Sequence, residues 1–154
     1  MLNIIQQDIT TVTSGIICQQ VNCQGVMGAG LAKKIRVKFP PAYEEYMKAY
    51  RKGMLNLGVV VYAFISGIPP LYVANLCGQN FYGREPSRVY TDYVSVRKCL
   101  TIVEQSRTIF AKSTNVDLPI YIPYFMGCGL AGGNWSEIYR IIENVIPDAI
   151  IAQH

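Results

Sequence analysis

Val21-Asn22-Cys23-Gln24-Gly25-Val26-Met27-Gly28-Ala29-Gly30-Leu31 is the stretch whose reading decides the fold. The apolar run Gly15-Ile16-Ile17-Cys18 leads into it, and the amphipathic segment Leu31-Ala32-Lys33-Lys34-Ile35-Arg36-Val37-Lys38-Phe39 leaves it. The order is strand, glycine loop, helix. Three glycines in so short a span let the backbone take positive φ and let a ligand approach bare main chain. Gly28 and Gly30 fall at the helix start, where free N–H groups and the positive dipole end favour an anion. Asn22, at the strand's end, has an amide that both donates and accepts hydrogen bonds, which suits a sugar hydroxyl or a water.

A second unit of the same kind lies downstream. Leu118-Pro119-Ile120-Tyr121-Ile122-Pro123 runs into Gly127-Cys128-Gly129-Leu130-Ala131-Gly132-Gly133, and Asn134-Trp135-Ser136-Glu137 opens a helix with the spacing of a capping box. Either loop alone also reads as a plain tight turn between strand and helix. Together they point to a phosphate-bearing ligand held between two loops.

The 154 residues suit one domain, 1–154, large enough to bury a core without staples. Apolar residues make up 51% and charged residues 16%, which argues against disorder. The start, Met1-Leu2-Asn3-Ile4-Ile5, lacks the basic lead and length of a signal peptide. The apolar region Met54 to Leu76 is broken by Asn56, Gly58, Gly67, Pro69 and Pro70, so no membrane partner is expected. Five cysteines with no C-x-x-C spacing read as free thiols in a reducing, cytoplasmic setting. Cys18 and Cys99 sit at apolar-periodic positions. Cys23 and Cys128 lie in the glycine loops, with no base nearby to activate them.

The one histidine is His154, which argues against a Ser-His or Cys-His hydrolase and against a His-ligated metal site. No cofactor is implied. The formal charge of +4 suits an anionic ligand. Lys33, Lys34, Arg36 and Lys38 could touch nucleic acid, but a solvated helix face is the favoured explanation, and no RNA- or DNA-reading motif accompanies them. Nucleic acid is therefore not an expected partner.

Taken in order, Leu2 to Gln6 alternates as a strand, and Asp8 follows as a turn residue, a cap, or an acceptor for an exocyclic amine. Spacing alone favours the turn. Gly15 to Val21 is a buried strand. Phe39-Pro40-Pro41 breaks the first helix, and a second carries Tyr43, Tyr46, Met47 and Tyr50 on one core-facing stripe, ending at Gly53. Leu57–Ile65 and Leu71–Leu76 are strands that pair as a hairpin or within a wider sheet. Cys77 to Arg88 is a long loop, either a mobile connection or a functional one. Tyr90 to Lys112 is an amphipathic helix, Trp135 to Ile146 another, and Ala149–Ala152 a closing strand. Such alternation predicts an α/β fold: three α/β/α layers around a mixed, mostly parallel sheet of about six strands. Both glycine loops then lie beyond the carboxyl ends of strands, where ligands bind in such sheets.

With Asp8-Ile9-Thr10, the first glycine stretch through Ala32, and Pro123 to Trp135 in view, nearly the whole chain resembles a macrodomain, the ADP-ribose-binding module. The subgroup it resembles contains ADP-ribose-1''-phosphate phosphatases and ADP-ribosyl glycohydrolases. The resemblance implies that Asp8 accepts the adenine amine, with the Ile9 N–H beside it. It implies that Asn22 and the Gly28-Ala29-Gly30 backbone hold the distal ribose, with Asn22 the candidate for orienting a catalytic water. Gly127, Cys128, Gly129, Leu130, Ala131 and Gly132 would wrap the diphosphate, two helix N-termini serving in place of a cationic clamp. ADP-ribose or ADP-ribose-1''-phosphate is the expected ligand, and ADP-ribosylated macromolecules are a further class of partner. Glycohydrolases of this subgroup use a lysine where this chain has Gln79, and some an aspartate where it has Ala131. Glutamine is neither an amine nucleophile nor a base. The implied activity is hydrolysis of ADP-ribose-1''-phosphate or of an ADP-ribosyl ester; the alternative is a non-catalytic ADP-ribose reader.

Overall fold

The computed structural model describes residues 1–154. Six strands form one sheet: β1 (Asn3–Gln6), β2 (Gly15–Val21), β3 (Val60–Ser66), β4 (Leu71–Cys77), β5 (Ile120–Pro123) and β6 (Ile150–Gln153). Their order across the sheet is β1-β6-β5-β2-β4-β3. Every neighbouring pair is parallel except β3 and β4, which form the antiparallel hairpin at one edge. Helices α1 (Gly30–Lys38) and α2 (Pro40–Arg51) cover one face; α3 (Tyr93–Thr114) and α4 (Trp135–Val145) cover the other.

The layering follows from the two-residue period of β2. Ile16 and Cys18 point into a cluster with Val96, Cys99 and Leu100 of α3 and with Ile138 and Ile142 of α4. Ile17 points the other way, against Ile35 of α1 and Ala42 of α2. A strand covered on both faces needs apolar residues at successive positions, and β2 and β4 have them. Phe39 caps the end of α1 and the start of α2 at once, and Pro40 and Pro41 occupy the first turn, where a missing N–H costs nothing. No helix is long and apolar enough to cross a membrane.

Three local features differ from expectation. Strand β3 begins at Val60 rather than Leu57, because Leu57 and Gly58 form a turn in which the Gly58 amide donates to Cys77 O (2.9 Å). Helix α3 begins at Tyr93 rather than Tyr90, because the amides of Tyr90 and Thr91 donate instead to the carbonyl of Ala131 (2.7 and 3.3 Å). The capping box at Asn134 is only half made. Asn134 Oδ1 accepts from Ser136 N (2.9 Å) and Glu137 N (3.4 Å), but the Asn134 amide donates to the Tyr93 hydroxyl rather than to Glu137.

One ion-pair network ties α3 to the turn before β6. Arg107 donates to both carboxylate oxygens of Asp148 (2.7 and 2.9 Å) and to both of Glu104 (2.7 and 2.8 Å). The Arg107 hydrogen bonds hold the Asp148 carboxyl below its usual range. A carboxylate whose pKa is lowered on folding stabilises the fold above its unfolded pKa, and that stability is lost as pH falls through the folded value. Asp148 is 64% exposed, so the contribution is small. Asp148→Asn is expected to cost under about 1 kcal/mol near neutral pH in urea unfolding, with the gap to the native chain closing once the pH drops well below the ordinary aspartate range.

Candidate ligand cleft between two glycine loops

β2 and β5 lie side by side and parallel, yet the chain leaves them to opposite faces, β2 towards α1 and β5 towards α4. Such a divergence opens a crevice beyond the carboxyl ends of the strands. A cavity of about 730 Å³ fills it here. The first glycine loop supplies Asn22, Val26, Gly28, Ala29 and Gly30 to its wall; the second supplies Gly127, Gly129, Leu130 and Ala131.

The main chain separates lining from support. In the second loop, the Cys128, Gly132 and Gly133 amides donate to Phe125, Gly129 and Gly127 carbonyls, at 2.9, 3.0 and 2.8 Å. Cys128 and Gly132 do not reach the cavity. The four lining residues Gly127, Gly129, Leu130 and Ala131 have amides that donate to nothing within the fold. In the first loop the free amides are those of Gly28, Ala29, Gly30, Leu31 and Ala32, the last three being the open first turn of α1. Nine residues with unengaged N–H groups thus line one space. The positive end of α1 adds to them. The start of α4 does not, since Asn134 satisfies its amides and stands outside the wall.

Asn22 is braced more than it is free. Its Oδ1 accepts from Gln24 N (2.9 Å), Val26 N (3.4 Å) and the Tyr46 hydroxyl (2.8 Å), while Nδ2 donates to Val26 O (2.8 Å). One Nδ2 hydrogen remains for a ligand oxygen. The oxygen that would accept from an attacking water is already committed to the loop. Tyr46 is the residue that sequence reading placed only as core. It is fully buried, donates towards Asn22 and accepts from the Gly25 and Val26 amides, both at 3.1 Å.

Gln79 is likewise structural. Its Oε1 accepts from Gln20 Nε2 (2.9 Å), and its own Nε2 donates to Phe81 O (2.8 Å). Gln20 Nε2 also donates to Thr91 Oγ1 (2.9 Å), which donates to Gly127 O (2.6 Å). A chain of amides and one hydroxyl therefore joins the loop after β4 to the second glycine loop. Gln20 Oε1 packs 2.6 Å from where a Cβ on Gly127 would stand, and with φ +75° the position strongly favours glycine.

Tyr124 and Phe125 complete the wall, Phe125 with φ +67°, a conformation that costs a non-glycine residue free energy and collects at functional sites. The two loop cysteines are not nucleophiles. Burial raises the Cys23 thiol and pushes Cys128 up to about 11, so both stay protonated at neutral pH. No Asp, Glu, Lys or His lines the cavity; Arg84 is its single charged residue.

Asp8 and Ile9 sit on the same edge of the sheet, after β1, but outside the cavity wall. Asp8 caps the short 3-10 turn Ile9–Thr11, Oδ1 accepting from Thr10 N (3.0 Å) and Thr10 Oγ1 (2.8 Å), and these bonds lower its carboxyl pKa. The turn reading of Asp8 is thus correct, and Oδ2 is left over, 4.0 Å from His154 Nε2.

Comparison with known proteins agrees with this geometry. The family model described as Macro domain matches residues 18–142. A DNA ADP-ribosyl glycohydrolase of Thermus aquaticus is 24% identical over 147 residues, 95% of this chain and 38% of that protein. An ADP-ribose 1''-phosphate phosphatase of Scheffersomyces stipitis is 37% identical over 90 residues, 50% of this chain and 52% of that protein. This chain thus spans about half or less of the curated relatives it matches. Among solved structures, Thermosipho africanus DarTG in complex with ADP-ribose superposes with a TM-score of 0.76 at 19% identity, over 99% of this chain and 41% of that one. With most of its length matched by the family model, the chain belongs to the Macro domain family.

Proposed function

We propose that the cleft binds ADP-ribose or a derivative of it. The observation that carries this reading is that residues with unengaged amides, five from the first loop and four from the second, line one cavity that no carboxylate lines. A diphosphate matches such a surface: many main-chain donors, one helix dipole, and no acidic group to repel it. Asp8 Oδ2 takes the adenine amine, and the remaining Nδ2 hydrogen of Asn22 takes a hydroxyl of the distal ribose. The names of the two curated relatives, both concerned with ADP-ribose chemistry, support the ligand class.

The chain acts as a reader of ADP-ribose, free or attached to a macromolecule. The wall has no lysine, aspartate or histidine to supply a base, and Gln79 and Asn22 have their acceptor atoms in use. A second reading, removal of the phosphate from ADP-ribose-1''-phosphate, is favoured by the 37% identity of half the chain to a phosphatase of that substrate.

Titration calorimetry with ADP-ribose is the direct test, and saturable one-to-one binding is the expected result. Absence of heat with ADP-ribose removes the reading. Phosphate release from ADP-ribose-1''-phosphate then separates the alternatives. The reader releases none above background, whereas release that disappears in Asn22→Ala selects the phosphatase.

A further inference from the structure

Charge is not spread evenly over the molecule. Seven of the fourteen Lys and Arg residues, and only two of the ten carboxylates, lie between residues 30 and 52, so the α1–α2 layer carries a formal +5 and the rest of the chain −1. Within that layer Lys48 is paired with Glu45, and the Arg36 guanidinium lies 3.8 Å over the Tyr43 ring. Lys33, Lys34 and Lys38 make no ion pair. With Thr10 and Val37 they line a shallow groove of about 480 Å³, to which no carboxylate contributes. Three ammonium groups around one groove repel one another, and an anion with several oxygens relieves that repulsion while gaining from all three.

The groove adjoins the cleft at its adenine end. Gly30, Leu31 and Ala32 at the start of α1 line the cleft, and Lys33 and Lys34 follow them on the same helix. On the other side, Thr10 is two residues past Asp8, and its Oγ1 donates to Asp8 Oδ1 at 2.8 Å. The Thr10 hydrogen bonds are the main cause of the lowered Asp8 carboxyl, and Lys34 is close enough to add to it. With adenine at Asp8 and the diphosphate between the glycine loops, the adenosine ribose lies between the two. Its free hydroxyls are the positions from which a further group reaches the groove. The distal ribose, at Asn22, is at the other end of the cleft.

We propose that this groove is a second anion site, taking a phosphate carried on the adenosine ribose of the ligand held in the cleft. The proposal rests on the ADP-ribose reading and extends it to a substrate class: ADP-ribose esterified with phosphate on its adenosine half. Lysines suit such a site, since an ammonium is a compact charge with three rotatable donors that meets phosphate oxygens from several directions.

The test compares ADP-ribose with 2'-phospho-ADP-ribose, phosphorylated on the adenosine ribose, by titration calorimetry at fixed salt. The native chain is expected to bind the phosphorylated ligand about tenfold more tightly, the magnitude of two or three exposed charge pairs acting together. The triple variant Lys33→Gln, Lys34→Gln, Lys38→Gln should bring that ratio close to one. The charge-matched variant Lys48→Gln, Arg51→Gln, Lys52→Gln should keep it, so that the loss reports the groove and not net charge. A native ratio of one, or a ratio that both variants change alike, overturns the inference while ADP-ribose binding stands. So does a ratio of one together with a mixed-sequence single-stranded oligonucleotide that binds the native chain and not the groove variant, which would give the face to nucleic acid. A native chain that binds neither nucleotide overturns the inference and the function together.

Discussion

Gly129→Glu folds with an unchanged melting temperature and loses ADP-ribose affinity by more than about a hundredfold, because like charge forced against a bound anion costs several kcal/mol. The expectation rests on where this glycine sits. Nothing lies within 4 Å of the place its Cβ would take, and its backbone is not in the left-handed region. It also lines the cavity. A carboxylate there adds bulk and negative charge where the diphosphate would lie, without straining the fold. Gly127→Ala behaves in the opposite sense. Gly127 has φ +75°, and its Cβ would stand 2.6 Å from Gln20 Oε1. That variant should lose stability by about 1–3 kcal/mol. Thermal unfolding beside calorimetry resolves the two. Native affinity in a folded Gly129→Glu would remove the second loop from the binding surface.

The contrast also marks what the sequence made legible. Glycine spacing located both loops, since a strand, a glycine cluster and an amphipathic run follow one another in the chain itself. The alternation of strand and helix gave the layers for the same reason. What escaped depends on residues distant in sequence. The start of α3 moved to Tyr93 because Tyr90 and Thr91 spend their amides on Ala131, some forty positions on. Strand order was not readable either, since β2 pairs with β4 and β5 by contacts that no local pattern encodes. Which glycine-loop amides are free was hidden too: Gly129 and Gly132 look alike as letters, but only the amide of Gly132 is used inside the loop. Of the Tyr43, Tyr46, Met47, Tyr50 stripe, Tyr46 with Tyr43 and Met47 was correctly placed against the core, whereas Tyr50 is 43% exposed; burial is all that such periodicity can convey.

Tyr46→Phe is expected to show what it could not convey: about 2 kcal/mol lost in unfolding, the usual cost of stranding buried polar groups, together with about a tenfold loss of ADP-ribose affinity. The ring stays and fills the same space, so no cavity term enters. The oxygen goes, and with it a hub. At present it donates to Asn22, within reach of both O (2.7 Å) and Oδ1 (2.8 Å), and accepts from the amides of Gly25 and Val26. Burial raises its pKa above the ordinary tyrosine value, so it remains a neutral donor across the physiological range. Without it, two loop amides lose an acceptor and Asn22 loses one of the donors that orient its side chain. The first glycine loop then samples conformations in which its free amides no longer converge, and ordering it again is charged against binding. A loss of stability with native affinity would mean the loop's shape is set by Asn22 alone. A loss of affinity that Asn22→Ala does not deepen further would place both residues in one brace, as a double-mutant cycle reads it.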